Sequence, residues 1–382
     1  MSLLHKQLDD DLVMEILRRV PVGQLWWRCR RVCKKWHALI LSPHFAHLPH
    51  ASPSTFLVSF NNKETGKLDF FYPGKVDAEA FNGSLVQHWK HQMVTGKDVV
   101  PVASCKGLVL FNPFLSSDFY IGNPITGELI TVRHPIGLWG RVEFFYHSSM
   151  KEYKLLRCHP KGFAKNHFEY ALLTLGSKKW RRLGAFPHRF RYGSMPVTLK
   201  NTVYWMIDDR FGAPSTCENS IMMFSMDSKE FGTMPHPICE CRSHQRMHLL
   251  EMEGQLTCWC LLGEEVQAWG FEGHWTPIYC LDFNRNFSRY LVPQEEDNCR
   301  VQLVGIQDSE LLLFWCGIGM FRYNLLRNAV EKIELEGIDE PEPYKRQLRL
   351  TPYAKSVVSL NNFYPGFGLS KIHTHTKCKF RI

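Results

Sequence analysis

The chain has 382 residues, 45% of them hydrophobic, with 46 basic against 37 acidic side chains and a formal net charge of +9. That length buries a large core and holds more than one domain. The positive excess is modest and not gathered with interleaved aromatics on one face, which argues against a nucleic-acid partner. No stretch approaches the roughly 18 uninterrupted apolar residues of a membrane helix, and Met1-Ser2-Leu3-Leu4-His5-Lys6 lacks the apolar run of a secretory signal. The expectation is therefore the nucleus and/or the cytoplasm, with no membrane partner. Thirteen cysteines, an odd number scattered along the chain, read as free thiols rather than a disulfide framework.

The first predicted elements lie between Leu8 and Phe45. Leu12, Ile16, Leu17 and Val20 recur at helical spacing and form one apolar stripe. Asp9, Asp10 and Asp11 precede it, where carboxylates cap free amides and meet the positive end of the helix dipole. Arg18 and Arg19 fall in the last turn, and Pro21 stops the helix. A second run repeats the pattern with Leu25, Cys29, Val32, Cys33, Trp36, Leu39 and Ile40, while Arg28, Arg30, Arg31, Lys34 and Lys35 fall mostly off that face. A module of about 40 residues is at the limit of independent folding, so its leftover apolar stripe needs a partner.

The order Leu8, Leu12, Glu15-Ile16-Leu17, Val20-Pro21, Leu25, Val32-Cys33-Lys34, Trp36 and Leu39-Ile40 resembles an F-box. The resemblance implies binding of a Skp-type adaptor, and through it a cullin, in a ubiquitin ligase. The adaptor surface it implies comprises Leu8, Leu12, Ile16, Leu17, Val20, Pro21, Leu25, Val32, Cys33 and Trp36. F-boxes usually open Leu-Pro, whereas Asp9 follows Leu8 here, which implies a less rigid helix entry and weaker adaptor binding. Adaptor and cullin assemblies are acidic, so the basic residues around Arg28 to Lys35 suit them.

Residues 47–54, with Pro49 and Pro53, read as a linker. Beyond them come short β-type runs in a repeat of about 50 residues, each unit ending in a hairpin with turns centred near residues 125, 177, 228, 285 and 327. A second hairpin precedes each, turning at Lys106-Gly107, Ser148-Ser149, Lys200-Asn201, Glu253-Gly254 and Asp308-Ser309. Four antiparallel strands per unit point to propeller blades of kelch type, because one such sheet cannot bury both faces and must stack on neighbours. Five units are complete. A sixth is expected from the two ends: a hairpin at 55–59 and 67–72, with strands at 348–350 and 356–360, closing the ring and removing free edges. The stretch Val102-Ala-Ser-Cys-Lys-Gly-Leu-Val-Leu110 with Tyr120-Ile-Gly-Asn-Pro-Ile-Thr-Gly-Glu128 resembles the opening of the F-box-associated domain of plant F-box proteins.

The fold expectation is α+β: a helical F-box over 1–46, a linker over 47–54, an all-β kelch-type propeller of six blades over 55–360, and a tail over 361–382. No phosphate loop or nucleophile elbow is present. Asp208-Asp209 and Glu264-Glu265 read as solvated pairs in loops. Cys239, Cys241, Cys258 and Cys260 with nearby histidines do not have strong metal-ligand spacing. No catalytic residue, metal or cofactor is assigned. Aromatic and basic loops at residues 137–141, 189–192, 208–211 and 269–275 are the candidates for an unknown protein substrate, above all through Trp139, Arg141, Arg210 and Trp269, because aromatic and Arg side chains carry most interface energy. The functional expectation is a non-catalytic substrate receptor of a Skp–cullin–F-box ligase. The alternatives are a ligand- or glycan-binding propeller with a regulatory F-box, and an oxidase-like propeller enzyme.

Overall fold

The computed structural model describes residues 9–46, 48, 55–62, 67–72, 87–91, 99–113, 118–133, 140–161, 167–191, 195–208, 210, 217–237, 247–262, 265–282, 301–307, 310–315, 319–333 and 349–364. Four short helices open it: α1 (Asp10–Arg18), α2 (Val22–Trp27), α3 (Lys34–Leu41) and α4 (Pro43–Ala46), with a 3₁₀ turn at Cys29–Arg31. The Asp9 carboxylate accepts from the Asp10 amide at 2.7 Å at the start of α1. Glu15 pairs with Arg18 and Arg19, one turn on. Pro21 ends the first helix and caps the second, where its missing N–H costs nothing. Cys33 caps α3, its Sγ accepting from the Trp36 amide.

The remainder is β-structure. Strands β1 (Thr55–Asn62), β2 (Lys67–Tyr72) and β3 (Gln87–His91) come first. Four consecutive strands then make each of five antiparallel sheets. These are β4 (Val99–Cys105), β5 (Leu108–Pro113), β6 (Asp118–Asn123) and β7 (Glu128–Arg133); β8 (Arg141–His147), β9 (Glu152–Pro160), β10 (Phe168–Thr174) and β11 (Arg181–Phe186); β12 (Val197–Leu199), β13 (Thr202–Met206), β14 (Ile221–Ser225) and β15 (Phe231–Met234); β16 (Met247–Met252), β17 (Gln255–Leu262), β18 (Glu265–Phe271) and β19 (Trp275–Asp282); and β20 (Val301–Gln307), β21 (Glu310–Trp315), β22 (Gly319–Asn324) and β23 (Ala329–Ile333). The last strand, β24 (Arg349–Tyr353), returns to β1, giving a composite sheet of order β24-β1-β2-β3.

The turn chemistry sets these hairpins. Lys106 and Gly107, and again Glu253 and Gly254, have consecutive positive φ angles, as tight two-residue hairpins require. The first strands of neighbouring sheets touch: β4 lies against β8 and β24, β12 against β16, and β24 also against β20. This is the propeller arrangement, with first strands inward. Because strands alternate in direction, two faces follow. First strands begin on one face, where second strands also end and third strands begin. The other face carries the turns between first and second and between third and fourth strands. A seven-residue first strand such as β8 separates the two by about 20 Å.

Three expectations need correction. The composite sheet takes one strand from the C-terminal side and three from the N-terminal side, not two and two. Its fourth strand is β3, whereas residues 356–360 form no strand; a 3₁₀ turn begins at the buried Leu360. Secondly, Ile278 to Asp282 belongs to a fourth strand rather than a third, and the turn that precedes it is Glu272-Gly273-His274. Thirdly, the supposed loop from Trp269 to Trp275 is therefore the β18–β19 hairpin. Its aromatics and glycines hid the strand alternation. The turn at Asp308-Ser309 lies outside the described residues.

Residues 354–364 cross the face of the turns as a strap. The Asn123 side-chain amide donates to the carbonyls of Ser356 (3.1 Å) and Val358 (2.7 Å). Glu128 accepts from the Ser359 hydroxyl (2.8 Å) and the Leu360 amide (2.6 Å). The strap's own Val357, Val358 and Leu360 are buried. A Cβ on Gly107 would fall 2.1 Å from Ser356 Oγ, so glycine is required both by its φ of +85° and by the approach of the strap. The helical module packs here too. Val13, Leu17, Leu25, Trp26, Ile40 and Phe45 share one core with Ile125, Val357, Val358 and Leu360, and Asn362 donates to the Leu41 carbonyl.

Candidate functional site

Two surfaces carry the residues singled out in sequence, and they lie on opposite faces of the propeller. The first is on the helices. Leu12 is 50% exposed, Ile16 46% and Val32 63%. The Lys35–Asp10 ion pair (2.5 Å) ties the start of α3 to the start of α1, so the segment bearing Val32 lies beside the N-terminal half of the first helix. Pro21 and Cys33 are also exposed, and Val20 and Trp36 are half-buried. Leu17 and Leu25 are fully buried in the core shared with the propeller. Their placement makes them packing residues, and substitution there acts through folding. The apolar stripe is thus divided by the fold: one edge is spent on the propeller and the other faces solvent. Periodicity could not make that division, since a stripe on a short helix looks the same whichever surface covers it. Leu8 lies outside the described residues.

The second surface surrounds Asp208, just past the end of β13. This carboxylate is 1% exposed and accepts from three guanidiniums: Arg141 Nη1 at 2.9 Å, Arg189 Nη2 at 3.0 Å and Arg210 Nε at 3.0 Å. The Arg210 amide adds a bond at 3.3 Å. Burial opposes its charge, but the Arg210 hydrogen bonds and the charges of Arg141 and Arg189 outweigh burial and hold the carboxyl below its usual range. Arg210 in turn is held above its ordinary value by the bond to Asp208.

Each arginine is anchored by its own element. Arg141 opens β8 and also donates to the Phe190 carbonyl at 2.9 Å. Arg189 follows β11 and lies over the Phe168 ring at 5.5 Å. Phe190 bridges to Ile207 and stacks on Trp205. Arg191 donates to the Met247 carbonyl at the start of β16. Buried Arg157 lies beneath the segment entering β8, where a Cβ on Gly140 would come within 2.7 Å of its Nε. Burial lowers Arg157 to about 10. Glu143, on β8, is buried, which drives its carboxyl well above the ordinary range against the pull of Arg141.

The expected substrate residues therefore separate. Arg141 and Arg210 come together through Asp208. Trp269 lies on β18, in the core with Met247 and Cys258, and also lines a pocket with Gln267, Ile278 and Tyr279, apart from the arginines. Trp139 lies outside the described residues. The reading of Asp208 as a solvated acid is overturned: the residue is the buried hub. Arg189 and Asp208 were visible only as members of arginine-bearing loops, because residues 19 apart in sequence are joined here through the sheet. Cys258 and Cys260 are buried on β17 and form no disulfide, and no group of three or more metal-ligating side chains occurs among the described residues.

Residues 6–48 match the F-box domain, and residues 55–357 match the F-box associated beta propeller domain. With the second match covering most of its length, the chain belongs to the F-box-associated propeller family and is an F-box protein of the plant type. F-box only protein 6 of Arabidopsis thaliana is 24% identical over 310 residues, 73% of this chain and 60% of that one. A putative F-box/kelch-repeat protein of the same plant is 26% identical over 238 residues, 60% of each chain. Another F-box/kelch-repeat protein of Arabidopsis thaliana is 25% identical over 351 residues, 82% of this chain and 89% of that one. The chain thus spans about three fifths of the length of the first two relatives.

Proposed function

We propose that this protein is a non-catalytic substrate receptor of a Skp–cullin–F-box ubiquitin ligase. The solvent edge of α1, with Leu12 and Ile16, and the neighbouring Val32 dock the Skp-type adaptor; the propeller holds the target protein. In this reading the six four-stranded sheets are the blades of one ring, closed where β24 pairs with β1. The observation that carries it is the division of the helical stripe: large apolar side chains stay in solvent on a module whose other edge is already buried against the propeller. An exposed apolar group of this kind marks an interaction site. Geometry then does the work. A target held on the opposite face is kept at high effective concentration near the ligase assembly, and no covalent step belongs to this chain. The working place implied is the nucleus or cytoplasm. The test is co-purification with a Skp-type adaptor. Ile16→Asp should abolish adaptor recovery while the purified variant melts as the parent does; full recovery by that variant would overturn the reading.

A further inference from the structure

We infer that the rim of the propeller carries a further protein-binding surface, at the corner where β10 turns into β11, and that its occupant is an acidic, extended segment of a partner protein. This goes beyond the receptor reading and does not depend on it. β11 is the outermost strand of its sheet, so one edge of its backbone has no strand partner. Among the outer strands whose side chains are described, β11 alone has no buried residue. The turn and the start of the strand read Lys178-Lys179-Trp180-Arg181-Arg182, and all four cations are exposed. Arg182 holds both oxygens of Glu169 at 3.0 Å. Lys179 and Arg181 form no ion pair with any described residue. The half-buried Trp180 packs on the core shared by the helices and the propeller, and its indole N–H donates to the Arg133 carbonyl at 3.3 Å. The exposed Arg133 side chain likewise makes no ion pair with a described residue, Asp118 across the ladder included. Three unpaired cations thus stand beside an anchored indole, and Trp and Arg are the side chains that carry most interface energy.

Charge and backbone together select the occupant. Cations on an edge strand keep neutral and basic strands from adding to it, and the same cations favour an acidic one. The bulge between Tyr170 and Ala171 places Gly184 at a φ of +107°. A Cβ there would meet nothing within 4 Å, and Ala185 beside it is exposed, so the edge is open to an approaching backbone. An extended peptide presents alternate side chains about 6.5–7 Å apart on one side, which suits the two-residue spacing of Lys179 and Arg181. Guanidinium forks take carboxylates in paired hydrogen bonds. The turn is also held in place before a ligand arrives: Phe363 of the strap lies against Gly176 at one end, and Trp180 bonds Arg133 at the other. A single-stranded polynucleotide needs several stacking rings along a track of cations, whereas this corner offers one indole.

The test uses the full chain and fluorescent twelve-residue peptides whose alternate positions are glutamate, glutamine or lysine, read by anisotropy. The glutamate peptide should bind at least about tenfold more tightly than the glutamine peptide, and raising salt from about 50 to about 300 mM should weaken it by a similar factor. The double variant Lys179→Glu with Arg181→Glu, at exposed positions, should melt as the parent does. It should lose the glutamate peptide about tenfold and gain the lysine peptide, an exchange that misfolding does not produce. Arg327→Glu with Lys332→Glu makes the same charge change at exposed positions around the β22–β23 turn and should bind the glutamate peptide as the parent does. Equal binding of the glutamate and glutamine peptides would overturn the proposal, as would undiminished binding by the Lys179 and Arg181 variant or an equal loss in the Arg327 and Lys332 variant. So would no binding of any peptide, which would leave these cations as guards of the edge alone, or tighter binding of a ten-nucleotide oligothymidylate through the same residues.

Discussion

Cutting the chain after Lys355 tests the strap directly. The reference is a chain ending at Tyr364, which keeps it. The shorter chain retains β24 and thus the pairing with β1, so sheet closure by itself is untouched. It loses Val357, Val358 and Leu360, each no more than 1% exposed. Burying an aliphatic side chain of this size contributes roughly 1.5–3 kcal/mol, so the three contribute about 5–9 kcal/mol as an upper estimate. The Asn123 amide also loses both its acceptors, Ser356 and Val358, and Glu128 loses both strap donors. Leaving a buried amide without its partner adds about 1–3 kcal/mol. The sum approaches the whole stability of a typical domain, about 5–15 kcal/mol. The assay is urea unfolding of both chains, followed by tryptophan fluorescence and by protease cleavage between residues 46 and 55. The shorter chain should unfold at clearly lower urea and release the helical module under protease, because that module packs on the strap. Matching midpoints and matching cleavage would refute the packing argument.

Other consequences follow from single residues. Leu17→Ala empties a fully buried position and should cost about 2–5 kcal/mol in urea unfolding, whereas Ile16→Asp should leave the midpoint within about 0.5 kcal/mol; equal losses would contradict the division of the stripe. Gly107→Ala should destabilise the chain through both its φ and its contact with Ser356, seen as a lower melting temperature. Asp208→Asn leaves three arginines without their shared anion and should cost about 3–5 kcal/mol at neutral pH. Because the Asp208 value is depressed on folding, its contribution is full above the unfolded value of about 3.9 and is lost as pH falls through the folded one, so parent and variant should converge in acid. Glu143 has the opposite sign. Its value is raised on folding, so the parent loses stability as pH rises above the unfolded value of about 4.3. Glu143→Gln should therefore melt higher than the parent at about pH 7.5, with the gap closing near pH 4.5.

Much of the architecture was legible because hairpins announce themselves locally. Lys106-Gly107 and Glu253-Gly254 need positive φ angles that few residue pairs supply, so the turns stood out and the strands followed from them. The β18–β19 hairpin failed by the same logic: Trp269, Gly270, Phe271 and Gly273 read as an irregular aromatic loop, and only pairing with β17 makes Glu265–Phe271 a strand. The composite sheet was half legible. Its pairing of the two ends follows from the need to bury edges, but which segments supply the strands depends on contacts more than 290 residues apart, from Thr55 to Tyr353. The Asp208 cluster was legible as three arginine-bearing loops and no further, since convergence on one buried carboxylate is a property of how neighbouring sheets stack.

The strap gives the two surfaces a fixed relation. A receptor whose adaptor module hung on an eight-residue linker would sample many orientations, and the effective concentration of a bound target at the ligase would fall with that freedom. Here the module is held by a shared core and by a segment that also bonds Asn123 and Glu128 on the propeller. Opening that relation requires exposing Val357, Val358 and Leu360, so the faces move as one body unless the strap itself comes away. The distance from the exposed edge of α1 to the arginine cluster is then set by strand length, about 20 Å through the ring plus the thickness of the helical layer. Sequence changes in the linker leave that distance unaltered, whereas changes at Asn123, Glu128 or Gly107, remote from both surfaces, alter how the two faces are held relative to each other.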